Sequence, residues 1–143
     1  MKRIFSSILF CLLIITNASG QHRVVADVKK SIGEFTTSIS SYQTAINKIK
    51  PALTHDETKS SPEAWYVAGK AYMGLYGKYK DTQAIGKKVD VKAMSTTLLD
   101  GYDCLMHAMS LDTIREYDKN GKPRIDKKTG KPKAKTRFSG DIV

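Results

Sequence analysis

The chain has 143 residues, of which 41% are hydrophobic and 27% charged, with a formal net charge of +10. That charge is unevenly placed: Lys2 and Arg3 carry two of the ten, residues 118–137 hold nine Lys/Arg against Asp118 and Asp126, and the rest is nearly neutral at +1. A body so balanced excludes an argument for nucleic-acid binding from isoelectric point alone, and Cys104, the lone cysteine after residue 20, excludes an intramolecular disulfide there.

Residues 1–20 read as a signal peptide, with Lys2 and Arg3 before the apolar run Ile4 to Ile15 and small residues at Ala18-Ser19-Gly20. Phe10 before Cys11 argues against a lipoprotein, and the apolar run is too short for a permanent bilayer anchor. Cleavage is expected after Gly20, giving an exported chain that is periplasmic or associated with the cell envelope and has no transmembrane segment.

Val25, Val28, Ile32, Phe35, Ile39, Tyr42, Ile46 and Ile49 recur at alternating spacings of three and four. That pattern predicts one helix from about residue 23 to 50, ending or kinking before Pro51. The same spacing fits a coiled coil, but Gly33 and the many Ser/Thr residues suit docking within a helical array better. Thr54 to Ser60 reads as a polar loop. Ser61, Pro62 and Glu63 predict a helix start, with a capping hydroxyl, a proline at the first helical position and an acid in the first turn. On that helix Trp65, Ala68, Gly69 and Tyr72 form one stripe. A glycine costs a helix about 1 kcal/mol against Ala, so Gly69 points to another helix packed close against it. The helix is expected to reach about Tyr76, with Lys78 to Lys88 ambiguous. Asp90 is expected to cap a third helix, with the stripe Val91, Met94, Leu98, Tyr102, Leu105 and Met109, that stops near Leu111-Asp112.

Past Tyr117 the composition changes. Asp118-Lys119-Asn120-Gly121-Lys122-Pro123-Arg124 and Asp126-Lys127-Lys128-Thr129-Gly130-Lys131-Pro132-Lys133 are two versions of one turn-rich phrase. They describe either a flexible basic loop or an extended pair of turns forming a hairpin arm. Residues 138–143 look like the start of a further helix.

Trp65-Tyr66-Val67-Ala68-Gly69-Lys70-Ala71-Tyr72 resembles the first helix of the tetratricopeptide repeat, a helix-turn-helix unit of 34 residues, with Ala68 where the family carries Leu. Ala45, Ile49 and Ala52 resemble the second helix of a preceding repeat. Gly101, Leu105 and Ala108 resemble that of the same repeat, with Thr113 where Pro is common. Tyr72 and Gly101 lie about twenty residues further apart than in a standard repeat, an insertion that a longer loop and helix absorb at little entropic cost. The resemblance implies an all-α, antiparallel, α-solenoid-like array of about three long helices. It would comprise a helical domain over 21–117, a basic loop or arm over 118–137, and the beginning of another helix. An array usually needs three or more repeats, so the chain is expected to be the front portion of a longer array, or to self-associate if it is complete.

The chemistry expected is binding without catalysis. Cys104 and His107 share a helical face with Asp103 beside them, but two ligands do not make a metal site, and a cysteine beside an apolar stripe is ordinarily a small hydrophobe. His55-Asp56-Glu57 reads as a solvated loop. Asp118-Lys119-Asn120-Gly121 resembles the start of a calcium loop without the later acids. No phosphate loop or nucleophile triad stands out, and no cofactor is expected. The resemblance implies an inner surface that contacts an unidentified protein or peptide partner through Tyr66, Lys70, Met73 and Tyr76, making the protein a scaffold or assembly module of the bacterial cell envelope. The alternative is an electrostatic adaptor in which Lys119, Lys122, Arg124, Lys127, Lys128, Lys131, Lys133, Lys135 and Arg137 hold an anionic envelope polymer. Export and the lack of interleaved aromatics argue against nucleic acid.

Overall fold

A computed structural model describes residues 20–33 and 38–142. Within them four long helices pack against one another, and the remainder is a small two-stranded sheet with its turns and a short final helix. The predicted signal segment lies outside the described residues, apart from Gly20.

The stripe read as one helix belongs to two. The first, α1, covers residues 20–32 and buries Val25 and Val28. At Gly33 the chain turns, its N–H bonding back to Lys30 O at 3.1 Å. Ser38 then caps α2 (Ile39–Thr54), its hydroxyl accepting the Ser41 N–H at 3.1 Å. Glycine weakens a helix, and serines offer the backbone alternative partners, so the run breaks where those residues cluster while the apolar phase carries on into the same core. Phe35 of the stripe lies outside the described residues. Helix α2 also continues one turn past Pro51, burying Ala45, Ile46, Ile49 and Ala52. Pro51 O is still used, accepting the His55 N–H at 3.2 Å.

The polar loop after α2 is anchored from within. Thr58 is fully buried and its hydroxyl donates to Ala52 O at 2.5 Å. The Trp65 indole N–H donates to Lys59 O at 2.7 Å. Helix α3 (Pro62–Ala84) begins at Ser61, whose hydroxyl makes no capping hydrogen bond, contrary to expectation. It runs two turns beyond Tyr76. Gly74 does not end it, because the Tyr42 ring packs onto the position where a side chain would stand. Tyr79 then packs against the core, and its hydroxyl accepts Gln43 Nε2 at 3.3 Å.

Helix α4 (Val91–Leu111) is capped by Asp90, which accepts the Ala93 N–H at 3.1 Å. Its buried face is Thr97, Gly101, Cys104 and Ala108. The predicted stripe is therefore largely off the buried face: Val91 is 63% and Tyr102 58% exposed, Met94, Leu98 and Met109 are half-buried, and Leu105 packs onto Gly69. The reason is the closeness of α3. A Cβ on Gly69 would lie 2.6 Å from Leu105 Cγ, and one on Gly101 would lie 3.0 Å from Tyr72 Cβ. Each glycine receives a larger residue of the facing helix, Leu105 over Gly69 and Tyr72 with Met73 over Gly101. Helix α3 is thus central, flanked by α2 and α4.

After α4, β1 (Ile114–Arg115) pairs antiparallel with β2 (Ala134–Lys135), Ile114 opposite Lys135 and Arg115 opposite Ala134. The arm thus starts at Ile114, earlier than the expected 118. Helix α5 (Ser139–Ile142) follows it; Val143 lies outside the described residues.

Candidate functional site

Tyr66, Lys70 and Met73 fall at i, i+4 and i+7 of α3 and so share one face. They line a cleft of about 440 Å³ whose other walls are Lys29 and Ile32 of α1, Gly33 just after it and Tyr42 of α2. Gly74 sets the floor: the Tyr42 ring takes the space that a side chain there would fill. One wall is braced by the ion pair from Lys29 Nζ to Glu63 Oε1 at 2.7 Å. Lys70 is exposed and forms no ion pair among the described residues.

Tyr66 faces two ways. Its ring stacks on Phe138 with centroids 4.6 Å apart, and its hydroxyl donates to Asp141 Oδ2 at 3.1 Å. Burial, followed by the hydrogen bond and charge of Asp141, raises its pKa, so it stays a neutral donor. Tyr76 does not line this cleft; it lies further along α3, with Lys80 Nζ 5.9 Å from its ring centroid. The cleft therefore joins three of the four residues expected to contact a partner. Lys29, Ile32 and Tyr42 were missed as cleft residues, because the stripe placed Ile32 and Tyr42 on an inward face without saying which residues of α3 they would border.

The opposite side of α3 carries a second, more open groove containing Trp65, Tyr72, Asp103, Cys104 and His107. The rings of Trp65 and His107 lie 4.1 Å apart, tilted by 53°. Burial, then Asp100 and Asp103, pushes the Cys104 thiol up to about 11; burial, Asp100 and Cys104 push Tyr72 up to about 12. A thiol held neutral is a weak nucleophile. Among the described residues no group of three or more His, Cys, Asp or Glu is placed to hold a metal. His55 and Glu57 stay in the loop, where the Glu57 N–H bonds His55 Nδ1 at 3.3 Å.

The helix-packing residues gather around α3. Ala45, Ile49, Ala52, Ala68, Gly69, Tyr72, Gly101 and Ala108 are buried, with Trp65 and Leu105 half-buried beside them. The basic residues are dispersed over the arm. Glu116 takes up two of them, Arg124 at 3.4 Å and Lys135 at 2.9 Å, and the Arg137 guanidinium lies 5.0 Å above the Phe138 ring. Asp112, read in the sequence only as the end of the third helix, is fully buried. Its Oδ2 accepts the N–H groups of Arg137, Phe138 and Ser139 and the Ser139 hydroxyl, closing the neck of the arm.

Comparison with protein-family models, curated proteins and solved structures finds no match to this chain.

Proposed function

We propose that this protein is a tetratricopeptide-like helical array of the bacterial cell envelope that binds a peptide segment of a partner protein and does no catalysis. The observation that carries the reading is the cleft between α1 and α3, where Tyr66, Lys70 and Met73 stand over the Tyr42 ring. Alternate helices share that side: Lys29 of α1 meets Glu63 of α3, and Tyr66 of α3 meets Asp141 of α5. An array of paired helices would put its first helices there, with α2 and α4 behind as the second helices. On this reading the surplus residues between Tyr72 and Gly101 lengthen α3 and α4 as an antiparallel pair. Export rests on Lys2, Arg3 and the apolar run that follows them. Among the described residues no helix is long and apolar enough to cross a membrane.

The cleft suits an extended segment with an apolar side chain over Met73 and Tyr42 and an acidic group near Lys70. Methionine adapts to varied partners, and a few contacts of this kind dominate most interfaces. The test is selection of peptides from a displayed random library, followed by affinity measurements. Selected peptides should weaken by about tenfold or more on Met73→Glu with Lys70→Glu and be unaffected by Lys127→Gln with Lys128→Gln. Peptides indifferent to the cleft substitutions overturn the reading.

A further inference from the structure

We propose that the hairpin arm between α4 and α5 docks the protein on an anionic lipid surface. This stands apart from the peptide cleft and rests on how the arm is built. Its two phrases fold into the same device. In the first, Asp118 Oδ1 accepts the N–H groups of Asn120 and Lys122, and Gly121 takes a φ of 74°. In the second, Asp126 Oδ1 accepts those of Lys128 and Thr129, and Gly130 takes a φ of 68°. The loops are joined at their bases by a ring of three backbone bonds: Glu116 N–H to Lys133 O at 2.9 Å, Lys133 N–H to Arg124 O at 2.7 Å, and Arg124 N–H to Glu116 O at 2.9 Å. The arm is thus held in one shape before it meets a partner, which lowers the entropic cost of binding.

Two consequences point to an anionic surface, and the second favours a bilayer over a soluble polyanion. First, the acids within the arm are occupied: Asp118 and Asp126 serve backbone donors, and Glu116 serves Arg124 and Lys135. Lys119, Lys122, Lys127, Lys128 and Lys131 lie exposed at the turns and form no ion pair among the described residues. Secondly, each turn is entered by an exposed apolar residue bridged to a proline: Tyr117, 56% exposed, opposite Pro123, and Ile125, 51% exposed, opposite Pro132. A shallow depression brings Pro123 and Ile125 beside Lys127 and Lys128. A polyanion needs only the charges. A membrane interface uses both, seating Tyr and Ile at the headgroup boundary while the lysines meet phosphate.

The test is co-sedimentation of the full chain with phosphatidylcholine vesicles made with and without phosphatidylglycerol. Binding should require phosphatidylglycerol and fall with added salt. It should weaken about fivefold for each lysine lost in Lys127→Gln, Lys128→Gln and Lys131→Gln. Tyr117→Ser with Ile125→Ser leaves the charge unchanged and should weaken it about tenfold. These side chains are exposed, and an unchanged far-ultraviolet circular dichroism spectrum is expected for every variant. Failure to bind, equal binding to neutral vesicles, or indifference to the Tyr117 and Ile125 exchanges overturns the proposal; the last outcome assigns the arm to soluble polyanions.

Discussion

Asp112 at the end of α4 accepts the backbone N–H of Phe138, 26 positions further along the chain, at 2.7 Å. With the N–H groups of Arg137 and Ser139 on the same oxygen, this carboxylate decides where the arm leaves the helices and where α5 begins. Closing a loop of that length costs little more than closing a short one, so a few charge-assisted bonds suffice.

Asp112→Ala should therefore loosen the neck, at a cost of about 1–3 kcal/mol. Hydrogen exchange should show residues 112–142 losing protection while α2 and α3 keep theirs. Equal loss throughout the chain would mean that Asp112 supports the whole core instead.

The same carboxyl sets an acid limit. Burial alone would raise its pKa, but the bonds from Phe138, Arg137 and Ser139 outweigh burial and lower it. A carboxyl lowered in the fold contributes stability above its unfolded value of about 3.9 and loses it as pH falls through the folded value. Protection of the neck should be constant at neutral pH and decay below about pH 4. Asp112→Asn should abolish that dependence.

Alkaline pH acts on the core. Cys104 and Tyr72 are held at about 11 and about 12, above their ordinary values of 9.0 and 10.0. Groups raised in the fold contribute stability below their unfolded values, and that stability is lost as pH rises through the folded ones. Urea midpoints should be flat up to about pH 8.5 and decline above it. In native protein near neutral pH, Cys104 should react with a disulfide reagent about a hundredfold more slowly than in the unfolded chain.

The glycines separate into two kinds. Gly69→Ala and Gly101→Ala would drive a Cβ into Leu105 and Tyr72 and should each cost about 1–3 kcal/mol from overpacking. Gly77 in the same α3 has nothing within 4 Å, so Gly77→Ala should stabilise by up to about 1 kcal/mol. Thermal unfolding of the three variants tests the contrast, and equal shifts would refute the close α3–α4 contact.

The loop after α2 gives a further measurement. Thr58→Val keeps the shape but leaves Ala52 O without its buried donor, at a cost of about 1–3 kcal/mol. Exposed Lys59→Ala, by comparison, should shift stability by no more than about 0.5 kcal/mol.

Local rules made much of this protein legible. The helix start at Pro62, the Asp90 cap and the turns at Asp118 and Asp126 each follow from residues a few positions apart, whose chemistry needs no distant partner. Gly69 announced a close neighbour because a buried helical glycine has few other uses. Reading failed at Gly33 and Ser38, where local propensity broke a stripe whose period ran on unbroken, and again where a distant surface decided. Gly74 did not end α3 because Tyr42 covers it. The large residues of α4 were taken for its buried face, when it buries Thr97, Gly101, Cys104 and Ala108 and seats Leu105 against Gly69.

The sequence by itself determined that the body is helical, where α3 begins, which residue caps α4 and which residues form the turns of the basic segment, since these depend on backbone propensity and period within a few residues. Only the tertiary structure decided the rest: that Tyr42, Lys29 and Ile32 join Tyr66, Lys70 and Met73 in one cleft, that Thr97 and Cys104 are buried on α4 while Val91 and Tyr102 stay exposed, and that Asp112 closes the arm. Those outcomes depend on how close two helices can approach and on which polar atoms remain to be satisfied after they do. Both quantities belong to pairs of residues far apart in the chain.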